Sequence, residues 1–338
     1  MILIKNTSTE PYFNMACEEY LLQISSEPTV MLWRNEPAVI IGKNQNAREN
    51  VDFDFTKEHN IKVVRRLTGG GAVFHDLGNV NYTFIIPKSD APAEFSAFSE
   101  PIISALKALG INAECSGRND LLSGGKKFSG TARCEYRQND KTLVMHHGTL
   151  LFSSDMAALV GALKVDPEKI KSKGIKSTSA RVINLRELLP AEKKTLSVTD
   201  FIDYLSDYFI GEGASPREFS DDEREKISAL ANEKYKTDEW LFRAGAEDFD
   251  VSRGMRFGFG SVKISLSCAA GDVGEKPTIR GVLITGDFFG DGDISELEKM
   301  LAGTVFSADA VSEKLRGTDI GKYIRGATVN DIIKIIFN

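Results

Sequence analysis

The sequence has few cysteines, no long apolar run and no excess of basic residues. Its four cysteines form no C-x-x-C pair and no dense framework, which argues against a disulfide scaffold and favours a reducing compartment. The first ten residues, MILIKNTSTE, lack the apolar stretch of a secretory signal, and no later run reaches the roughly 18 apolar residues that a bilayer span needs. We therefore expect a cytoplasmic protein that does not enter a membrane.

The charge balance also excludes some partners. A net charge of -6 at pH 7 is unlike the basic surface that binds nucleic acid, so only local positive patches are of interest. With 338 residues, of which 42% are hydrophobic and 27% charged, the chain is long enough for two domains with a core each. Nothing in the sequence demands more than a monomer.

Short strand patterns alternate irregularly with a few helical ones. The segments TVMLW, AVIIG, IKVVRRL, AVFH, VNYTFIIP and LVMHHGTLLF predict strands of one sheet, and PYFNMACEEYLLQI, FSEPIISALKALG and SDMAALVGAL predict helices. Because the strands follow one another as in hairpins, without strict βαβ alternation, we expect an α+β fold with a mixed or antiparallel sheet and flanking helices.

The character of the chain changes after about Tyr235. Two strand patterns, SRGMRFGFGSVKISLS and TIRGVLITGDF, precede two amphipathic helical patterns, DISELEKMLAG and TVNDIIKIIFN. Thr328 and Asp331 have the spacing of a capping box at the start of the last helix. We predict a larger domain over residues 1–246 and a small α+β domain over residues 247–338.

A triple glycine, Gly69 to Gly71, follows a pair of arginines in RRLTGGGAVFHDLGN. Three consecutive residues without a Cβ let a ligand approach backbone N–H groups, although a tight turn between strands explains them equally well. The segment fits neither the Walker pattern nor the G-x-G-x-x-G fingerprint. The guanidinium groups of Arg65 and Arg66 favour an anion site, and the alternative is a solvated strand end.

A second glycine pair precedes Lys126 and Lys127 in NDLLSGGKKFS. Strand alternation would send one lysine to each face of the sheet, so that one faces a site and the other faces water. Asp120 is the nearby carboxylate, able to bind a metal ion or to orient the lysine. The alternative is a basic hairpin tip.

Three histidines invite a zinc hypothesis. His146 and His147 lie on opposite faces of a predicted strand, and His75 follows the glycine loop. No i, i+4 helical pair and no cysteine cluster supports zinc, so we favour core or supporting roles for these side chains.

In their order along the chain, four segments resemble the motifs of lipoate-protein ligases, which share a superfamily with biotin ligases and octanoyl transferases. They are RRLTGGGAVFHDLGN, GRNDLLSGGKKFSGTA, HHGTLLF and KSKGIKSTSARVINL. The resemblance spans roughly residues 10 to 190, and the part after residue 246 resembles the accessory domain of that family. It implies a class II aminoacyl-tRNA-synthetase-like catalytic domain that converts lipoate and Mg-ATP to lipoyl-adenylate and pyrophosphate. A lysine of a lipoyl domain, in a 2-oxoacid dehydrogenase E2 subunit or the glycine cleavage H protein, then accepts the lipoyl group.

The resemblance also assigns residues. Lys127 matches the family lysine that holds the activated carboxyl and the phosphate oxygens, and Asp120 would lie near Mg²⁺. The residues implied for ATP are Arg66, Gly71, Ala72, Val73, Phe74, Asp120 and Lys127. Those implied for lipoate are Trp33, Gly70, Ala72, His75 and Lys127. Trp33 fits an ordinary core position equally well.

A cationic segment follows from Lys164 to Arg181. Its positive residues are Lys164, Lys169, Lys171, Lys173, Lys176 and Arg181. In the family the matching loop closes over the adenylate, and a cationic loop there would retain phosphate and help to dock an acidic acceptor domain. A solvated charged loop is the alternative.

One departure from the family pattern follows KKFSGTA, where the chain has Arg133 and Cys134 and the arginine is expected at the second position. A shift of one residue would move it to the other face of a strand. Three alternatives stay open: an octanoyl or lipoyl transferase that uses Cys115 or Cys134 on a thioester donor, a biotin ligase, and a binding protein without catalysis. Biotin ligase is the weakest, since the G-R-G-R-x signature is absent.

Overall fold

The computed structural model describes residues 1–92, 96–116, 119–138, 140–164, 182–243, 249–269 and 276–337. The chain groups into two compact units. Unit 1 comprises Met1–Ile40, Asn50–Arg65 and Val73–Leu241, and unit 2 comprises Ile41–Glu49, Arg66–Ala72 and Phe242–Asn338. The second unit thus also takes in two short segments from the N-terminal half. The predicted boundary between residues 246 and 247 lies outside the described residues, and a division of the chain there stays a prediction.

Unit 1 contains an eight-stranded mixed sheet. In chain order its strands are β1 (Ile2–Lys5), β2 (Thr29–Trp33), β6 (Asn79–Pro87), β7 (Glu114–Ser116), β8 (Asp120–Ser123), β9 (Lys126–Gln138), β10 (Lys141–Leu151) and β11 (Ser215–Arg217). They lie in the order β11-β1-β2-β6-β10-β9-β8-β7. The pairs of β1 with β11 and with β2 are parallel, and those from β2 through to β7 are antiparallel. This arrangement confirms the predicted mixed sheet.

A second sheet has three strands: β3 (Ala38–Ile41), β4 (Lys62–Arg65) and β5 (Val73–His75), in the order β4-β3-β5. The expectation that these strands continue the main sheet is therefore wrong. TVMLW, which forms β2, pairs with β6 across the chain and not with the AVIIG strand that follows it. Alternation and composition identify a strand, but they do not say which partner it pairs with.

Helices pack around the sheets of unit 1, and some of them have clear capping residues. They are α1 (Pro11–Ile24), α2 (Ala47–Asn50, which continues from unit 2), α3 (Phe53–Glu58), α4 (Glu100–Leu109), α5 (Met156–Ala162), α6 (Leu185–Leu188), α7 (Val198–Gly211), α8 (Asp221–Leu230) and α9 (Asp238–Phe242). Proline opens α1, where its missing N–H costs nothing, and Gly110 ends α4 with φ of 98°. One face of the main sheet packs on α4 and α7 through apolar side chains that include Phe84, Leu106 and Phe209.

Unit 2 has a three-stranded antiparallel sheet and four described helices. The strands are β12 (Val251–Phe257), β13 (Gly260–Ala269) and β14 (Thr278–Gly286), and the helices are α10 (Ile294–Leu301), α11 (Ala308–Lys314), α12 (Ile320–Tyr323) and α13 (Val329–Phe337). The segment predicted as one strand is a hairpin, because Phe257 pairs with Gly260 across a two-residue turn. At the start of α13, Thr328 Oγ1 accepts from the Asp331 N–H and Asp331 Oδ2 accepts from the Thr328 N–H, which confirms the predicted capping box.

No helix among the described residues is both long and apolar enough to cross a bilayer.

Candidate functional site

Lys127 and Asp120 form an ion pair at the hairpin of β8 and β9. The turn consists of Gly124 and Gly125, with φ of 56° and 76°, the left-handed conformation that a tight hairpin requires. Lys127 Nζ lies 2.6 Å from Asp120 Oδ1, and about a third of each side chain is exposed. At that exposure the pair adds little to stability, so its main effect is to orient the ammonium group.

The neighbouring Lys126 differs from Lys127 in its surroundings. Lys126 is exposed, whereas Lys127 is half-buried and its ammonium lies over Gly130. A Cβ at Gly130 would be 3.1 Å from Lys127 Nζ, so the glycine leaves room for the charged group. The exposure of Lys126 confirms that one lysine faces water, and a site at Lys127 stays a prediction.

Trp33 lies at the end of a buried hydrogen-bond chain on one face of the sheet. Its Nε1–H donates to Thr83 Oγ1 at 2.9 Å, and the Thr83 hydroxyl donates to Glu18 Oε1 at 2.6 Å. His147 Nδ1 is 2.7 Å from the same carboxylate oxygen. Glu18 is 1% exposed, and these contacts supply the partners that a buried carboxylate needs.

His75 lies beside Trp33, with ring centroids 5.8 Å apart and ring planes at 67°. Its Nδ1 is 3.1 Å from Asn35 Nδ2 and 3.4 Å from Asn81 Nδ2. The structure therefore brings together two of the residues assigned to lipoate, and surrounds the imidazole with side-chain amides.

Strand register places these groups on one face of four adjacent strands. Trp33 pairs with Asn81 between β2 and β6, and Thr83 pairs with His147 between β6 and β10. On β9 the Gly130 N–H donates to the Thr149 hydroxyl at 3.1 Å. The face therefore runs from an aromatic end at Trp33 to a cationic end at Lys127, which suits an acyl chain with a carboxylate at one end.

The other face of the same strands carries His146. Its ring stacks on Phe98 with centroids 5.0 Å apart, and its Nε2 is 3.5 Å from Ser99 Oγ. Burial lowers the pKa of His146 to about 3, so the ring is neutral in the folded protein. The expectation that His146 and His147 lie on opposite faces is confirmed. No cluster of three His, Cys, Asp or Glu side chains able to hold a metal was found within the described ranges.

In unit 2, Arg66 binds the loop of three glycines. Its guanidinium donates to the carbonyls of Gly69 at 2.6 Å and Gly71 at 2.9 Å, and its Nε–H donates to Thr68 Oγ1 at 2.9 Å. The residue is 6% exposed. The alternative of a solvated strand end is therefore wrong for Arg66, and its positive charge is held within the loop.

The three glycines of the loop have different surroundings. A Cβ at Gly69 would be 2.4 Å from the carbonyl oxygen of Phe288, and Gly70 has φ of 92° and faces the ring of Phe289. No described atom lies within 4 Å of a Cβ built at Gly71. Packing within unit 2 thus requires the first two glycines, whereas the space beside the third is open among the described atoms.

Arg65 has a structural role. It is 1% exposed, and its Nε–H donates to the carbonyls of Trp240 at 2.9 Å and Leu241 at 3.1 Å at the C-terminal end of α9. Trp240 Nε1–H donates back to the Arg65 carbonyl at 2.9 Å. The expectation that Arg65 neutralises an anion, like that of a solvated strand end, is therefore wrong, because backbone carbonyls take its guanidinium.

The remaining residues assigned to ATP follow the loop. Ala72 ends the segment of unit 2, and Val73 and Phe74 begin β5 of unit 1. Phe74 is 2% exposed and pairs with Val39 in the small sheet.

The cysteines are poorly placed for thioester chemistry. Cys134 is buried and lies on β9, roughly 20 Å along the strand from Lys127 at about 3.3 Å per residue. The side chain of Cys115 is exposed, but partial burial of its thiol still raises the pKa, and the charge of Glu100 acts in the same direction. A thiol with a raised pKa is a poor nucleophile at neutral pH. Although Cys134 is close to Lys127 in sequence, the extended strand separates the two side chains in space.

Arg133 lies on the His146 face. Its guanidinium is 5.4 Å from the centroid of Phe98 and Nη2 is 3.0 Å from Glu135 Oε1.

Of the cationic segment from Lys164 to Arg181, only Lys164 is among the described residues. Beyond it, the Ile183 N–H donates to the Lys127 carbonyl at 2.9 Å.

Sequence reasoning missed Glu18, Thr83 and the asparagines around His75. The signal for Glu18 was present, since ACEEYLL places two acidic residues within an apolar helical pattern and buried carboxylates need partners. The asparagines gave no such signal, because the contacts of Asn35 and Asn81 with His75 depend on the tertiary fold.

Comparisons with known proteins found similar sequences along almost the whole chain. Residues 10–210 match the family model described as the lipoyl protein ligase A/B catalytic domain, and residues 246–336 match the one described as the bacterial lipoate protein ligase C-terminus. The chain is 37% identical to lipoate–protein ligase 1 of Staphylococcus aureus, over 98% of each chain. It is 36% identical to lipoate-protein ligase LplJ of Bacillus subtilis, over the full length of both.

Solved structures of the same kind are similar in fold. A P. falciparum LipL1 structure in complex with lipoate has a TM-score of 0.77 at 24% identity and covers 98% of both chains. A lipoate-protein ligase A bound with ATP has a TM-score of 0.59 at 25% identity, over 71% of this chain and 98% of that one. A bipartite lipoate protein ligase from Thermoplasma acidophilum has a TM-score of 0.59 at 26% identity, over 73% of this chain and 97% of that one. It is described as part of an archaeal lipoylation system, together with its E2 lipoyl domain.

Proposed function

The chain belongs to the lipoate-protein ligase family, and on that premise we propose that it converts lipoate and Mg-ATP to lipoyl-adenylate and then lipoylates a protein. In the first step a lipoate carboxylate oxygen bonds to the α-phosphorus of ATP, and the bond from that phosphorus to pyrophosphate breaks. In the second step a lysine amine of the acceptor attacks the acyl carbon, and AMP leaves as the amide forms.

The observation that carries the proposal is the single face that joins Trp33 to Lys127. An acyl chain along this face would have its apolar part against the rings of Trp33 and His75 and its carboxylate near the ammonium. A reaction between two anions is slow unless positive charge is already in place, and Lys127 supplies that charge with Asp120 orienting it. Trp33, His75 and Lys127 are the residues of unit 1 that we propose for lipoate.

For ATP we propose the loop from Arg66 to Phe74 together with Asp120 and Lys127. The open space beside Gly71 supports close approach of a phosphate to the backbone, and Arg66 keeps the loop in shape. Gly70 and Ala72 are proposed for contact with the acyl substrate.

Magnesium is proposed as the counter-ion of the phosphates. Asp120 offers a partly exposed carboxylate, and Mg²⁺ is commonly held by one or two carboxylates, substrate phosphates and water. The donor set therefore fits the ion only with the nucleotide present. The ion would supply positive charge at the phosphates, and Lys127 remains the group that the chain itself provides.

We propose lipoyl domains as acceptors, of 2-oxoacid dehydrogenase E2 subunits or of the glycine cleavage H protein. The archaeal relative described with its E2 lipoyl domain supports this class of partner.

Pyrophosphate release with ATP, magnesium and lipoate tests the first step. We expect Lys127→Ala to lose at least about a hundredfold in rate, the usual cost of removing one preorganised charge at the reacting centre. Lys126→Ala is the matched control, since it removes the adjacent exposed lysine, and it should leave the rate unchanged. Equal rates in the two variants would remove Lys127 from the mechanism.

An apo lipoyl domain added to the same assay tests the second step. The domain should gain one lipoyl group on a lysine, and its appearance should depend on ATP. Lipoylation from an acyl-carrier thioester without ATP would instead support a transferase, and lipoate binding without pyrophosphate release would support a binding protein.

A further inference from the structure

A series of buried asparagines leads from the N-terminal loop to the ring of His75. The side-chain amides of Asn6, Asn14 and Asn35 contact one another in turn at 2.8 Å, and Asn35 Nδ2 is 3.1 Å from His75 Nδ1. All four residues are at most 6% exposed, so water does not compete for these contacts. The direction in which the amides point therefore decides which ring nitrogen carries the proton.

Backbone groups fix that direction. The Ser8 N–H donates to Asn6 Oδ1 at 3.1 Å, so Asn6 presents its amino group to Asn14 Oδ1. Three acceptors share the two hydrogens of Asn14 Nδ2: Asn35 Oδ1 at 2.8 Å and the carbonyls of Ser8 and Arg34, each at 3.0 Å, and carbonyls can only accept. Two independent sets of backbone contacts thus place Asn14 Oδ1 toward Asn6 and Asn14 Nδ2 toward Asn35.

Asn35 connects the series to the imidazole of His75. Asn35 Oδ1 accepts from Asn14 Nδ2, which leaves the Asn35 amino group facing His75 Nδ1. An amide nitrogen donates and does not accept, so Nδ1 must be the unprotonated nitrogen. We propose that this series of amides holds His75 as the neutral tautomer with its proton on Nε2, and that Asn35 is the positioning residue that sets it.

The functional consequence rests on the proposed function. Lipoate has hydrogen-bond acceptors, namely its carboxylate oxygens and its dithiolane sulfurs, and as the anion it has no donor. A ring that carries its proton on Nε2 offers the donor that such a substrate can use, whereas a lone pair on Nε2 would face another acceptor. The amide series therefore makes the ring beside Trp33 complementary to an acceptor-only acyl substrate.

Imidazole ¹⁵N NMR of the wild-type protein without ligand tests the tautomer directly. The chain has four histidines, and a His75→Gln sample identifies the resonances of this ring. We expect Nδ1 to give the deshielded resonance of an unprotonated nitrogen and Nε2 the shielded resonance of a protonated one. A protonated Nδ1 would overturn the proposal.

Asn35→Asp tests the positioning role. The carboxylate would accept from Asn14 and from the ring, so the His75 proton should move to Nδ1, while the resonances of the buried His146 stay in place as an internal control. The KM for lipoate should rise about tenfold, the value of one hydrogen bond, with little change in kcat. Asn232→Asp, the same change at an exposed asparagine, should alter neither quantity.

The outcomes distinguish the tautomer of His75 from its role in substrate binding. A proton moved to Nδ1 with an unchanged KM would refute the role in substrate binding and keep the tautomer. A KM that rises equally for octanoate and lipoate would place the acceptor at the carboxylate, and a rise for lipoate alone would place it at the dithiolane. Absence of pyrophosphate release by the wild type would refute the proposed function, and the spectrum would still decide the tautomer.

Discussion

Lowering the pH from 7 to 5 should destabilise unit 1 through His146. Burial lowers the pKa of this ring to about 3 in the folded state, against an ordinary value of 6.5 when the chain unfolds. Between these values the unfolded state binds a proton that the folded state does not, so the free energy of unfolding falls as the pH falls below 6.5. At 1.36 kcal/mol per pH unit, the contribution lost between pH 7 and pH 5 is about 2 kcal/mol.

Tryptophan fluorescence in urea is a suitable assay, because both tryptophans, Trp33 and Trp240, belong to unit 1. His146→Phe removes the titrating group and keeps a ring against Phe98. We expect the wild type to lose about 2 kcal/mol more than this variant between pH 7 and pH 5. The other titrating groups are the same in both proteins, so the difference isolates this histidine.

A control variant is His59→Gln, which removes an exposed histidine and should follow the wild type. If the wild type and His146→Phe lose the same stability between the two pH values, then His146 accepts a proton in the folded state and the reasoning from burial is wrong.

Three further predictions follow from the packing and charges. Gly148→Ala should lower the free energy of unfolding of unit 1 by about 3 kcal/mol in the urea assay, since the new Cβ would lie 2.5 Å from the buried Tyr82 hydroxyl; an unchanged midpoint would contradict it. Arg65→Lys should cost about 2 kcal/mol in the same assay and leave the KM for ATP unchanged, because the guanidinium binds backbone carbonyls; a raised KM without destabilisation would return it to the nucleotide site. Asp120→Asn should slow pyrophosphate release by about tenfold while the fold stays intact, because it frees the ammonium of Lys127; a normal rate at all magnesium concentrations would exclude both roles of this carboxylate.

Local chemistry in the sequence was enough for the elements and for the family. Proline at the start of α1, Gly110 after α4 and the pair of Thr328 and Asp331 set helix ends that the structure confirms, because capping depends on residues a few positions apart. The order of the four motifs indicated the family in the same way, since each motif is a short run of residues.

Local patterns in the sequence did not predict which strands pair with each other. The sequence indicated TVMLW and AVIIG as strands, yet they lie in two sheets, and SRGMRFGFGSVKISLS is a hairpin with Gly258 and Phe259 at the turn. Which strand pairs with which depends on long-range burial, and alternation within a strand carries no information about its partner.

For the candidate site, too, sequence and tertiary structure determined different features. The sequence by itself determined that a lysine, a carboxylate and a loop of three glycines lie in motifs that resemble those of lipoate-protein ligases. Only the tertiary structure decided that Arg65 holds α9 while Arg66 holds its own loop, and that Cys134 is distant from Lys127. It alone brought Asn6, Asn14 and Asn35 to His75, because the direction of a hydrogen bond is set by its partners in space and not by neighbours along the chain.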